Sequence, residues 1–244
     1  MIAFKGGMAV VFEYDGELDR RVNAAHQILS PLGFKRVCAL ESIESSLVAR
    51  FRAEVEAATN EKPMQKILWE YPQILARFLG PGHCWWIKQE VRLGNELRPD
   101  FMAARTESIF LNYRLVELES PTALWFNPSN GKPAEKMVEA VQQVAEWRYW
   151  IEKNQDYAQK PKPFGLGLAN LTRHYMRSQI VIGRRKSVTD ADRERLNAMK
   201  SIEAGYTVHT YDSLIERSKR PPANEYGQGG NDLCEECHYI ADDL

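Results

Sequence analysis

The chain has 244 residues, 44% of them hydrophobic, and 32 Lys and Arg against 33 Asp and Glu give a net charge of −1. At about 150 residues per domain, this length suits one large domain with a small appendage. There is no run of roughly 18 apolar residues and there are only four Cys, which excludes a membrane-spanning helix and a disulfide-built scaffold, while the balanced charge argues against a polycation that coats nucleic acid.

The first residues, MIAFKGGMAVVFEYDGELDRR, pass from a short apolar stretch straight into acids and lack a signal-peptide pattern. A cytoplasmic, reducing setting is therefore expected, with no membrane. Residues 9–14 read as a strand, 17–31 as an amphipathic helix closed by Pro31-Leu32-Gly33, and 34–39 as a second short strand. These elements form either a small N-terminal α/β segment over residues 1–45 or the first layer of the main domain. Helical spacing continues from 41 to 79, through Leu47, Val48, Phe51 and Val55, and then Met64, Ile67, Leu68, Ile74, Leu75 and Phe78. A break falls near residues 60–63, and Pro72 separates two further helices.

From Cys84 to Glu119 the period changes. Residues 85–92, 97–103 and 109–118 read as three consecutive strands, the first two joined through Gly94-Asn95. A long helix is expected over 133–154 and a strand over 178–183. A helix capped by Thr189 should follow to about residue 204, then a strand over 206–211 and a closing helix capped by Asp212 or Ser213. The expected fold is α/β, a mixed sheet flanked by helices, with the main domain over 46–220 and an acidic flexible tail over 221–244.

Near-neutrality is an average. Residues 157–189 contain no acid and carry Lys160, Lys162, Arg173, Arg177, Arg184, Arg185 and Lys186, a local +7, whereas residues 221–244 hold six acids and no Lys or Arg. This pattern fits a solvated basic face with an acidic tail, or a phosphate-facing surface for which the tail competes.

The chemically informative residues are Pro99-Asp100 and Val116-Glu117-Leu118-Glu119. Side chains alternate along a strand, so Glu117 and Glu119 share a face. If the chain turns back near 105–110, Asp100 comes to lie beside Glu117. Three carboxylates converging at one end of a sheet repel one another without a counter-ion. An oxygen-only set of this kind suits Mg²⁺ (or Mn²⁺), which polarises a phosphodiester.

The order of motifs resembles the Shedu antiphage defence nucleases, a family of the PD-(D/E)XK superfamily. Residues 61–72 (EKPMQKILWEYP) resemble its helix of Glu, Gln and Leu ending in a Tyr-Pro turn, and LRPDF at 97–101 with VELESP at 116–121 resemble its paired site strands. AVQQVAEWR at 140–148, IVIGR at 180–184 and TYDSL at 210–214 complete the order over roughly residues 45–217. The resemblance implies a restriction-endonuclease-like mixed sheet and an Mg²⁺-dependent endodeoxyribonuclease acting on DNA as a homo-oligomer (tetramer or dimer). It further implies Asp100 and Glu117 as metal ligands with Glu61 as a further candidate, Glu119 as the group that positions or deprotonates water, and Gln143 as a group orienting ligand or phosphate. Arg184, Arg185 and Lys186 become candidates for contacts to the DNA backbone. One departure matters: the family pattern has Lys where this chain has Glu119. That departure leaves open an alternative, a catalytically weakened nuclease fold that binds nucleic acid or a protein partner.

Other motifs carry less. Cys234-Glu-Glu-Cys237-His238 matches a haem-attachment string and offers three residues that could ligate zinc, but it sits in the acidic tail and reads as ordinary thiols. No phosphate-binding loop and no nucleophile elbow are present.

Overall fold

A computed structural model describes residues 2–5, 8–11, 17–39, 41–80, 84–107, 110–199 and 205–220. The expected tail over 221–244, with Cys234, Cys237 and His238, lies outside the described residues, as do residues 12–14 of the first expected strand.

The chain opens with an antiparallel hairpin, β1 (Ile2–Lys5) and β2 (Met8–Val11). Helix α1 (Glu17–Leu29) runs into a 3-10 turn, Ser30–Leu32, which Gly33 ends in the left-handed region at φ 82°, as the Pro31-Leu32-Gly33 signal implied. Strand β3 (Lys35–Cys38) is followed by three helices, α2 (Ser45–Ala57), α3 (Lys62–Glu70) and α4 (Pro72–Leu79). Both later helices carry Pro in the first turn, where a missing N–H costs no hydrogen bond.

Strands β4 (Cys84–Gln89), β5 (Phe101–Glu107) and β6 (Phe110–Leu118) form an antiparallel meander. Strand β5 starts at Phe101, later than expected, because residues 93–97 close a tight turn through a Leu93–Leu97 bridge. Helix α5 (Glu135–Lys153) and the short α6 (Gln155–Gln159) then lead to β7 (Met176–Val181), which pairs parallel with β6. Helix α7 (Asp190–Met199), strand β8 (Tyr206–His209), parallel to β7, and helix α8 (Tyr211–Ser218) complete the described fold. The result is a mixed six-stranded sheet in the order β3-β4-β5-β6-β7-β8 with helices on both faces. No described helix is long and apolar enough to cross a membrane.

Alternation along the strands divides the core. Trp85, Ile87, Phe101, Val116 and Leu118 pack with α2, α3, α4 and α8 on one face, and Trp86, Met102 and Leu115 pack with α1 and α5 on the other. Val22, Ala25 and Leu29 of α1 share that second core with Trp147 of α5, and β3 is an edge strand of the main sheet. The expected division at residue 45 thus has no counterpart in the packing: residues 17–39 form a layer of the main domain.

Thr189 caps α7 as expected. The Asp192 N–H donates to Thr189 Oγ1 at 3.1 Å, and Asp192 Oδ2 accepts the Thr189 N–H at 2.9 Å, a reciprocal capping box. The cap of α8 is a correction. Thr210 occupies the N-cap position and makes no side-chain cap bond, while the expected cap Asp212 pairs instead with Arg184.

One glycine fixes the path beside the site. Gly183 sits at φ 68°, its N–H donates to the Ser120 carbonyl at 3.1 Å, and a Cβ there would lie 2.3 Å from the Ala123 carbonyl oxygen. Gly183→Ala is therefore expected to destabilise the protein by roughly 2–4 kcal/mol, from left-handed strain plus a backbone collision. Urea unfolding reads this as a lower midpoint at unchanged m. A shift below about 0.5 kcal/mol, the size of an ordinary surface effect, would refute the assignment.

Candidate active site

The site is built where β5 begins and β6 ends. The register pairs Phe101 with Val116, which sets Asp100, one residue earlier, opposite Glu117, one residue later. A side chain extends the ladder there: the Leu118 N–H donates to Asp100 Oδ2 at 2.7 Å. The Asp100 backbone carbonyl accepts the Glu90 N–H at 3.1 Å, so this residue is fixed from both neighbouring segments. Gln65 Nε2, from α3, donates to the other carboxylate oxygen at 2.6 Å.

Glu117 and Glu119 alternate with Val116 and Leu118, so both point away from the core that those two residues enter. They are only 6% and 4% exposed, which is unusual for carboxylates. The backbone of Glu119 is pinned at both polar groups: its N–H donates to the Val181 carbonyl at 2.8 Å, and its carbonyl accepts the Tyr211 hydroxyl at 2.8 Å. Ser120 Oγ donates to the Thr59 carbonyl at 2.8 Å and fastens the next residue to the start of α3. Glu119 Oε2 lies 3.8 Å from Lys136 Nζ, in the first turn of α5.

Burial and mutual repulsion dominate the electrostatics. Burial, opposed by the Leu118 N–H and reinforced by Glu61 and Glu119, pushes the Asp100 carboxyl up to about 7. Glu117 is raised further, by burial first and then by Asp100, Glu119 and Glu61, with Lys136 opposing. Glu119 is pushed up to about 7 by burial, against the pull of Lys136. Glu61 occupies the N-cap position of α3 and contributes to each of these shifts through its charge.

The one ammonium of Lys136 does not offset this repulsion, and all three carboxyls stay raised. Glu117 Oε2 is buried and has no hydrogen-bond partner, a state that costs about 1–3 kcal/mol or more for a charged group. Among the described residues, no three His, Cys, Asp or Glu side chains are gathered as a ready cage. Mg²⁺ does not require one, since it commonly takes one or two carboxylates and completes its shell with water and substrate phosphate. The orphaned oxygen and the oxygen-only chemistry of Asp100 and Glu117 fit such an ion.

The other expected residues are distributed as follows. Gln143 is half-buried on α5, two turns beyond Lys136 on the same side of the helix, and it is Lys136 that reaches the carboxylates. Arg184 is spoken for by a bidentate pair with Asp212, both bonds 3.1 Å, and its side chain is largely buried. The Arg185 N–H also donates to Asp212, at 2.6 Å. This leaves the exposed side chains of Arg185 and Lys186, in the 3-10 turn Arg185–Ser187, as the basic groups of that loop that face solvent.

Sequence reasoning missed two residues. Gln65 stands four positions after Glu61 on one helix, a spacing that places both on one side. Lys136 had a weaker signal: a cation in the first turn of a helix opposes the helix dipole, so its place there needs another reason.

Residues 58–215 match the family model described as Shedu protein SduA, C-terminal. No curated protein matches the chain. Among solved structures, restriction endonuclease FokI bound to DNA is similar at 15% identity, over 89% of this chain and 35% of that one, with a TM-score of 0.37. A second structure of FokI is similar at 14% identity, over 93% of this chain and 36% of that one, with a TM-score of 0.39. The chain thus spans about a third of the length of the structures it matches.

Proposed function

The chain belongs to the Shedu family through its SduA C-terminal region, and from that premise we propose that it is a metal-dependent DNA endonuclease acting in bacterial defence against phage. The observation that carries this reading is the facing carboxylate pair of half-buried Asp100 and buried Glu117, with one Glu117 oxygen left without a partner.

Asp100 and Glu117 would hold Mg²⁺ or Mn²⁺, with Glu61 as a further candidate from α3. Such an ion, when bound, polarises a phosphodiester and neutralises charge developing on it. The protein's own groups do the rest. Gln65 and the Leu118 N–H fix the Asp100 carboxylate, so its orientation is set before any ligand arrives. Glu119, rigid in its backbone and raised towards neutral pH, is placed to take the proton of the attacking water. In the net reaction, a water oxygen joins phosphorus as the bond to the leaving sugar oxygen breaks, and that oxygen gains a proton. Arg185 and Lys186 offer phosphate contacts that position a duplex without reading its sequence. A single site cuts one strand at a time, so double-strand breaks call for a homo-oligomer, a dimer or tetramer.

Glu119 in the place of a lysine favours a second reading, a weakened nuclease fold that binds nucleic acid or a protein partner without cutting. Metal removal separates the two. Supercoiled plasmid incubated with the full chain and Mg²⁺ or Mn²⁺ is expected to become nicked or linear, and excess EDTA should abolish this. Plasmid left intact with either metal supports the second reading, and equal cleavage in EDTA refutes the metal-dependent one.

A further inference from the structure

We propose that Lys136 is the cation this site presents to the scissile phosphate, with Glu119 and Glu139 as its tethers; the inference rests on the nuclease reading above. The site end of strand β6, residues 116–118, runs on into an acid at 119 and contributes no positive charge. Asp100, Glu117, Glu119 and Glu61 together repel a phosphodiester, and one divalent ion offsets only two of their charges. Among the described residues, Lys136 is the cation paired with this group.

Its geometry suits the task. Nζ lies 2.7 Å from Glu139 Oε2 and 3.8 Å from Glu119 Oε2, the first a hydrogen bond and the second an ion pair without one. An ammonium has three donors, so this contact set leaves capacity for a phosphate oxygen. The Lys136 side chain is 54% exposed and that of Glu119 only 6%, which puts the ammonium at the rim of a buried acidic centre. That rim is where an incoming backbone first meets the site. The helix itself gains nothing from a cation at its N-terminal end. The nearby alternative, Arg184, is locked to Asp212.

During hydrolysis the phosphoryl oxygens gain negative charge as water bonds to phosphorus and the bond to the sugar oxygen breaks. An ammonium fixed beside them before the reaction stabilises that charge without reorganising. Lys136→Gln is expected to slow plasmid cleavage about a hundredfold, the usual size for removing one such donor. Lys136→Arg, which keeps the charge, should retain activity within about tenfold.

A second readout does not depend on cleavage. In metal-free buffer, with Glu117→Gln as the common background, adding Lys136→Gln should flatten the salt dependence of duplex binding by about 0.9 in log K against log salt, one phosphate contact. Cleavage within twofold of wild type, or lost cleavage with an unchanged salt slope, overturns the assignment while leaving the nuclease reading intact. A wild-type protein that neither binds nor cuts DNA overturns both, and does so before any variant is compared.

Discussion

Metal-free protein is expected to lose stability as the pH is raised from about 5 to 8, and a divalent cation should restore it. Asp100 and Glu119 are both pushed up to about 7, and Glu117 is raised further. Above the ordinary carboxylate range, the folded protein still holds protons that the unfolded chain has released. Stability therefore falls with rising pH until the folded groups ionise. For Asp100 alone, a displacement from 3.8 to about 7 corresponds to roughly 4 kcal/mol once the pH is well above 7. In a chain of this size that amounts to roughly 10 °C in Tm.

The charges facing the cluster are Glu61 from the start of α3 and Lys136 and Glu139 from α5, beside the neutral, buried Tyr211 hydroxyl of α8. Of these, Lys136 alone opposes the repulsion. His26, whose pKa burial lowers, acts in the opposite direction below about pH 6.5, so the informative comparison is with a variant that retains it. Glu117→Gln removes the most strongly shifted carboxyl of the cluster and should be more stable than wild type at pH 8, with a shallower fall. Thermal unfolding in EDTA against pH reads both. A cation present at 100 times its dissociation constant should return about 2.7 kcal/mol to wild type and little to the variant. Wild-type stability that is flat or rising across this window would contradict a self-repelling centre.

The second large effect falls on catalysis. Asp100→Asn and Glu117→Gln keep the shape of each side chain and remove the charge that would hold the metal. Losing that ion forfeits several kcal/mol of charge stabilisation in the transition state, so cleavage is expected to fall by at least about a thousandfold. The two expectations reinforce each other: an inactive variant that is also more stable cannot owe its inactivity to unfolding. Such opposition between stability and activity is usual at functional sites.

Much of this centre was legible in the sequence because it depends on local rules. Alternation alone put Glu117 and Glu119 on one face, and the return of the chain set Asp100 opposite Glu117. The Thr189 cap, the Pro72 break and the Gly33 terminus likewise involve residues within a turn of one another. What escaped was long-range. Lys136 meets Glu119 only because the segment between β6 and α5 folds back, and that segment has no periodic pattern to read. Arg184 looked free because its partner, Asp212, lies 28 residues on, where the sequence suggested a helix cap. The boundary at residue 45 looked natural because nothing in 35–38 reveals that β3 pairs with a strand 50 residues later.

The most direct test of the carboxylate centre is the rate at which supercoiled plasmid is cut under saturating Mg²⁺ by wild type and by Glu117→Gln. Wild type should convert the plasmid and the variant should be at least about a thousandfold slower. Equal rates for the two proteins would contradict the assignment of Asp100 and Glu117 as the centre of the reaction.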